Sequence, residues 1–258
     1  MSYRLRRHDS ERGIALVGVL CVVSLLTVLA VGALESTRRH GQLAHRSFEV
    51  AQASELADSA IRVAILQLTA PAQAWGVASV PDSLSVRIFD QPVAVQIERE
   101  ARRVDLNAAD EDVLIAALTS HQVEEADARV LAARIVDWRD VDDAAELRGA
   151  ERGEYRRAGR DSGPRNAPFE TVSELRQVLG GETLTDATLD AFTVYSHARE
   201  PQVREFAESA TLAGEAVKLS ACASVERISI CRVAIVRFTG NRANPTLVYS
   251  WSTRYARS

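Results

Sequence analysis

The 258-residue chain has no H-E-x-x-H pair, no G-x-S-x-G elbow, no G-x-x-x-x-G-K-[ST] loop, no dinucleotide fingerprint and no C-x-x-C. Zinc-protease, serine-hydrolase, phosphate-loop, nicotinamide and dithiol chemistries each need one of these spacings, so no enzymatic role and no organic cofactor are expected. The histidines, His8, His40, His45, His121 and His197, are scattered and lack the spacing of a metal-ligand set. Each reads as an ordinary surface residue. A basic bias is missing as well. The formal net charge is −4, and residues 104–200 hold 21 acids against 11 arginines with no lysine, a surplus that repels nucleic-acid phosphate.

Charge and proline are also missing from Ile14 to Leu34, and here their absence is informative. At about 1.5 Å per residue these 21 residues reach across a hydrocarbon core of roughly 30 Å. A leader with Arg4, Arg6, Arg7 and Arg12 precedes the run, and the slight excess of arginine on that side favours an amino terminus inside. A secretory signal core is usually shorter, about 7–15 residues, although Val31-Gly32-Ala33 offers a small-residue cleavage site. The pattern continues past Leu34. Ala53, Ala57, Ala60, Ala64 and Leu68 recur at steps of three and four, so one helix is predicted from about Ile14 to Leu68, ended by Pro71.

Beyond Pro71, 84–89 and 93–98 alternate at period two around Asp90-Gln91-Pro92 and predict a hairpin. Asn107 is placed to cap a helix with Asp110, Glu111 and Asp112 in its first turn. A second helix is predicted from Val123 with Ala128, Leu131, Ile135 and Trp138 on one face, followed by an irregular Gly- and Arg-rich loop. Thr171 to Glu174 is a capping box for a third helix ending at Gly180-Gly181, and a fourth covers Asp186 to Phe192. Strands return at 219–225, 228–238 and 246–254. The order of strand pair, helices and strands describes a sheet split around a helical insert, with the long helix as its cover.

Two constellations stand out. Asp140, Asp142, Asp143, Glu146, Glu151 and Glu154 crowd one acidic loop. It is either a solvated connection or, without EF-hand spacing, a set of hard oxygen donors for calcium. Cys222 and Cys231 are symmetric about Glu226-Arg227, so a hairpin turning there sets them opposite each other within disulfide reach. The third cysteine, Cys21, lies inside the apolar run as a small apolar residue.

The leader ending Arg12-Gly13 before Ile14-Ala15-Leu16 resembles the type IV pilin and pseudopilin signal. That resemblance implies cleavage between Gly13 and Ile14 by prepilin peptidase, with methylation of Ile14. Most such proteins carry Glu at the fifth mature position, and here it is Gly18. The lack of that carboxylate, together with Asp105 to Ala109, Ile135 to Asp140, Gly149-Ala150-Glu151, Tyr155, Pro164 to Glu170 and Tyr249-Ser250-Trp251 in order, resembles the minor pseudopilin family of type II secretion system protein K.

The resemblance implies an α+β pseudopilin fold: a long amino-terminal transmembrane helix on an antiparallel sheet, interrupted by an inserted all-α domain with helix-hairpin-helix-like repeats. The expected parts are a leader at 1–13, a helix at 14–70 (14–34 in the membrane), sheet segments at 71–103 and 201–258, and the insert at 104–200. The implied role is at the tip of the pseudopilus, starting its assembly for protein export. Implied partners are minor pseudopilins I and J, the major pseudopilin, prepilin peptidase and the inner membrane of a Gram-negative bacterium, crossed once with the bulk in the periplasm. The resemblance also implies bound calcium, with Asp140, Asp142, Asp143, Glu151 and Glu154 as candidate ligands. Two alternatives share parts of the pattern. One is a membrane-anchored helix-hairpin-helix protein for DNA binding or uptake; the other is a minor pilin of a type IV pilus. The first is disfavoured by the acidic insert and by Thr119 to Gln122, a turn without glycine.

Overall fold

The computed structural model describes residues 10–70, 74, 79–202 and 211–255. Helix α1 (Ser10–Leu68) is continuous over 59 residues and contains no proline. It stops before Pro71, whose ring cannot enter a helix interior. Its two ends differ in what surrounds them. Ala53, Leu56, Ala57, Ala60, Ile61, Ala64 and Leu68 are buried along one stripe, whereas Val17 to Val31 is apolar and exposed on every side. Of the run 14–34, the side chains described are those of 17–32, which rise about 24 Å. Among the described residues no helix is long and apolar enough to cross a membrane.

The buried stripe of α1 lies on a five-stranded antiparallel sheet in the order β1 (Ser83–Ile88), β2 (Gln91–Arg99), β5 (Ala216–Val225), β6 (Ile228–Phe238), β7 (Thr246–Tyr255). The first hairpin is tighter than its sequence predicts. Phe89, at φ +46°, and Asp90 make a two-residue turn, and Gln91-Pro92 belongs to β2. Pro92 is tolerated because it sits near the start of β2, ahead of the stretch from Val95 that pairs with β5. The alternate residues Val93, Val95, Ile97, Val217, Leu219, Ala221, Ala234 and Val236 face α1 and form the first core.

At the helix–sheet seam Asp58 is buried. It accepts Arg232 Nε and Nη2 at 2.7 and 2.8 Å, and Trp251 Nε1 donates to the same carboxylate at 2.7 Å. Trp251, which the sequence offers only as part of a closing tripeptide, is thus tied to the middle of α1's packed half.

Strands β2 and β5 are neighbours, with Arg99 opposite Val217. The chain therefore leaves the sheet at 99 and re-enters it in the adjacent strand, and a second core fills the segment between. This segment is not all helical. Short strands β3 (Val104–Asp105) and β4 (Phe192–Thr193) pair in parallel at its neck, because Val104 N and Leu106 N donate to the carbonyls of Ala191 and Thr193.

Helices α2 (Glu111–Ser120) and α3 (Glu125–Arg139) form a hairpin whose turn places Gln122 at φ +67°. The face Ala128, Leu131, Ile135 and Trp138 is buried, as the periodicity predicts. The later part is shorter than predicted. The capping box at Thr171 opens only a 3-10 turn (Val172–Gln177), and α5 is Asp186–Leu189, with Phe192 in β4. In the loop read as irregular, Glu154 caps helix α4 (Arg152–Arg157).

Candidate cation site and exposed apolar helix

The acidic loop is built around Asp137, which the sequence reading passed over as a ligand. Its side chain points inward from the last turn of α3 and is fully buried, accepting Glu146 N at 3.2 Å and Ala150 N at 2.7 Å. Residues 140–150 therefore wrap back over the end of α3. Gly149 is required at the crossing: a Cβ there would lie 2.0 Å from Asp137 Oδ2. Asp142 Oδ1 accepts Ala144 N at 2.9 Å, and Asn166 Nδ2 reaches both Asp142 O (2.8 Å) and Asp143 Oδ1 (3.1 Å), holding the loop from the other side.

Within this frame several oxygens are buried without a hydrogen bond: both of Glu151, Oδ1 of Asp140 and Oδ1 of Asn166. The Glu151 carboxylate sits over the first turn of α4, where the backbone N–H groups of Arg152 and Glu154 face it in a loose capping box. Burial pushes Glu151 up to about 7, helped by the negative charges of Asp137, Asp140 and Asp143. Asp140 is raised by burial and then by Asp142, Asp137 and Glu146. Asp137 is raised by burial against the pull of its two backbone donors. Orphaned oxygens in a negative field form an environment that a hard cation would relieve.

The candidate ligands from the sequence divide. Asp140, Asp142, Asp143 and Glu151 line this loop. Glu154 does not join them, because its Oε2 accepts Glu151 N at 3.0 Å and its Oε1 pairs with Arg157. These helix-cap bonds lower its pKa. No three carboxylate groups of the loop bring their oxygens within 4.8 Å of one another; among the described residues the group that does so is His45, Glu49 and Glu226. Asp137 and Asn166 were legible as residues but not as parts of the site, since the folding back of 140–150 and 166 is what gathers them.

Cys222 and Cys231 are register partners across β5 and β6 and are joined by a disulfide of 2.03 Å. Gly13 and Ile14 lie in the first turns of α1, where the backbone alone is described. The leader residues 1–9 lie outside the described residues. Cys21 is exposed with its apolar neighbours.

Where the two cores meet, Arg99 pairs with Glu215 at 2.9 Å and Thr193 Oγ1 donates to the buried Glu100. Burial raises Glu100, while Arg103 and the Thr193 hydroxyl oppose it. Tyr195 stacks on Tyr249 with centroids 5.2 Å apart, and Arg237 donates to Tyr195 O and Tyr249 Oη at 2.7 and 2.8 Å.

Residues 94–194, from inside β2 to just past β4, match the family model "Type II secretion system (T2SS), protein K". A chain of the crystal structure of the GspK-GspI-GspJ complex from enterotoxigenic Escherichia coli is similar in fold, with a TM-score of 0.50 at 15% identity. The match covers 85% of this chain and 99% of that one. No curated protein matches the sequence.

Proposed function

We infer that the chain is a protein K of the type II secretion system, from the match of residues 94–194 to that family's model. It is a minor pseudopilin serving protein secretion. Its α1 anchors it in the inner membrane through residues 14–34 and later packs among other pseudopilin helices, with the sheet and insert in the periplasm. The observation that carries this reading is the protein K match. The exposed all-round apolar face of Val17 to Val31 supports it, because a helix apolar on every side needs lipid or neighbouring helices around it.

At the tip, Gly18 lacks the carboxylate that would seat the chain behind another subunit, and the insert adds bulk that hinders lateral stacking. The chain then assembles with minor pseudopilins I and J and starts the pseudopilus. The similar fold of a chain from the GspK-GspI-GspJ complex is consistent with that partnership.

A hard cation, calcium, would sit in the acidic loop. The donor chemistry fits it, and the loop would draw its carboxylates together on binding: Glu151 and Asp140 offer three buried oxygens, Asn166 Oδ1 a fourth, neutral one, and Asp142 and Asp143 stand on the rim. Bound there, it supplies countercharge. It would hold the loop 140–151 against α3 and α4 and thereby set the outer shape of the insert.

Mass spectrometry of the membrane-extracted protein tests the anchor. A methylated Ile14 at the amino terminus is the expected result, and a start at Leu34 would refute it. Co-expression with I and J tests the tip role: a stable three-protein complex is expected, and a chain that purifies alone would contradict it.

A further inference from the structure

The apolar run and the packed half of α1 are separated by a stretch that carries its own polar cluster. His45 and Glu49 are one turn apart on the same face of the helix, with His45 Nε2 2.9 Å from Glu49 Oε1. Glu226 reaches the same imidazole nitrogen at 3.8 Å from the β5–β6 turn, which it enters at φ +51°. One ligand atom from each of the three residues lies within 4.8 Å of the others.

Glu49 is the informative member. Its side chain keeps 10% of its exposure, and its carboxylate is directed at the His45 imidazole. A largely desolvated carboxylate that shares one imidazole with a second carboxylate gains from a cation placed between them. His45 and Glu226 are exposed and leave an approach from solvent.

We propose that His45, Glu49 and Glu226 form a binding site for a borderline divalent metal of the zinc class. The imidazole decides the class: calcium prefers an all-oxygen shell, whereas a nitrogen with two carboxylates suits zinc and its transition-metal neighbours. Zinc bonds to nitrogen and oxygen of about 2.0–2.2 Å in a tetrahedron place ligand atoms roughly 3.4 Å apart. The observed 2.9 and 3.8 Å bracket that spacing, so small rotamer changes close the site. A fourth position stays open. The metal would tie α1 to the tip of the β5–β6 hairpin one turn ahead of Ala53, where apolar packing begins, and extend the rigid part of the stem towards the exposed apolar run.

The test uses the full chain in detergent, stripped by a chelator and then held in saturating calcium so that the acidic loop is out of play. Titration calorimetry with Zn2+ is expected to show one site, and zinc is expected to slow hydrogen exchange at 42–52. H45A and E226Q should each weaken binding at least about tenfold, the lower end of what losing even an outer-shell partner costs. E226Q alters an exposed turn residue and keeps the test valid should H45A fold poorly. Zinc affinity unchanged in both variants, or no zinc binding by the unsubstituted chain, overturns the proposal. In a separate titration begun without calcium, a Ca2+ affinity equal to that for Zn2+ and lost in H45A and E226Q overturns the metal class.

Discussion

The helix–sheet half and the segment inserted between β2 and β5 each bury a continuous apolar cluster, but they hold it by different means. In the first, aliphatic residues repeat along α1 and along alternate positions of β1, β2, β5 and β6, and backbone ladders satisfy the polar groups. A buried polar node, Asp58 with Arg232 and Trp251, joins helix to sheet. In the second, aromatics anchor the core: Trp138 lies 5.9 Å from Phe169 and 6.2 Å from Tyr155.

Regular structure in the insert is short, so side chains take over the backbone's hydrogen bonds. Asn107 exchanges two bonds with the backbone of Phe169 in the manner of a strand partner. Arg139 donates to Leu106 O and Ala109 O, and Tyr155 Oη accepts Leu179 N. A region with few ladders needs many such specific ties, which leaves it more exposed to single polar substitutions.

The contrast can be broken at this buried node. Asp58→Ala leaves the Arg232 guanidinium and the Trp251 N–H facing the seam without their acceptor, and should cost about 3–5 kcal/mol, the range for breaking a buried pair. Urea unfolding measures it. A loss under about 1 kcal/mol, typical of an exposed pair, would mean the helix–sheet half has no polar dependence at all.

Calcium should sharpen the difference from the other side by stabilising the insert, by about 2.7 kcal/mol at a hundredfold excess over Kd. The pH dependence without the cation has a fixed sign. Glu151, raised to about 7, binds its proton more tightly folded than unfolded. Its contribution is therefore complete below the ordinary carboxylate range and is lost as pH rises towards about 7. Melting temperature in chelator should fall over that interval. The fall should vanish with Ca2+ and flatten in E151Q; identical curves with and without calcium would remove the cation from the loop.

A smaller effect is expected from Asn107→Ala, about 1–3 kcal/mol for unpairing the Phe169 backbone, seen as faster hydrogen exchange around 166–171 while β5 and β6 keep their protection. Arg129→Ala should change nothing measurable, because its pair with Glu125 is exposed on α3.

Legibility followed the same division. Strands of 6 to 11 residues with period-two patterns and a helix with a period near 3.6 were readable to within a few residues, Phe89 and Pro92 being the exceptions. In the insert only α3's buried face was read closely. The capping box at Thr171 was present but too little helix followed it, since the Phe169 contact to Asn107 and the close fit of Gly181 against Leu175 O constrain the chain there. Asn107 read as a helix cap because cap and strand-like bridging use the same amide, and only the arrival of Phe169, 62 residues on, selects the second.

By itself the sequence determined the periodic elements, the apolar run, the symmetric cysteines and the family resemblance, because each depends on residues near one another in the chain. Tertiary structure alone decided that Asp137 anchors the acidic loop, that Glu154 leaves it for a helix cap, that Trp251 and Arg232 meet Asp58, and that Glu226 comes to His45 and Glu49. Each of these joins groups that attract or repel only at a few ångströms, across separations that local pattern does not encode.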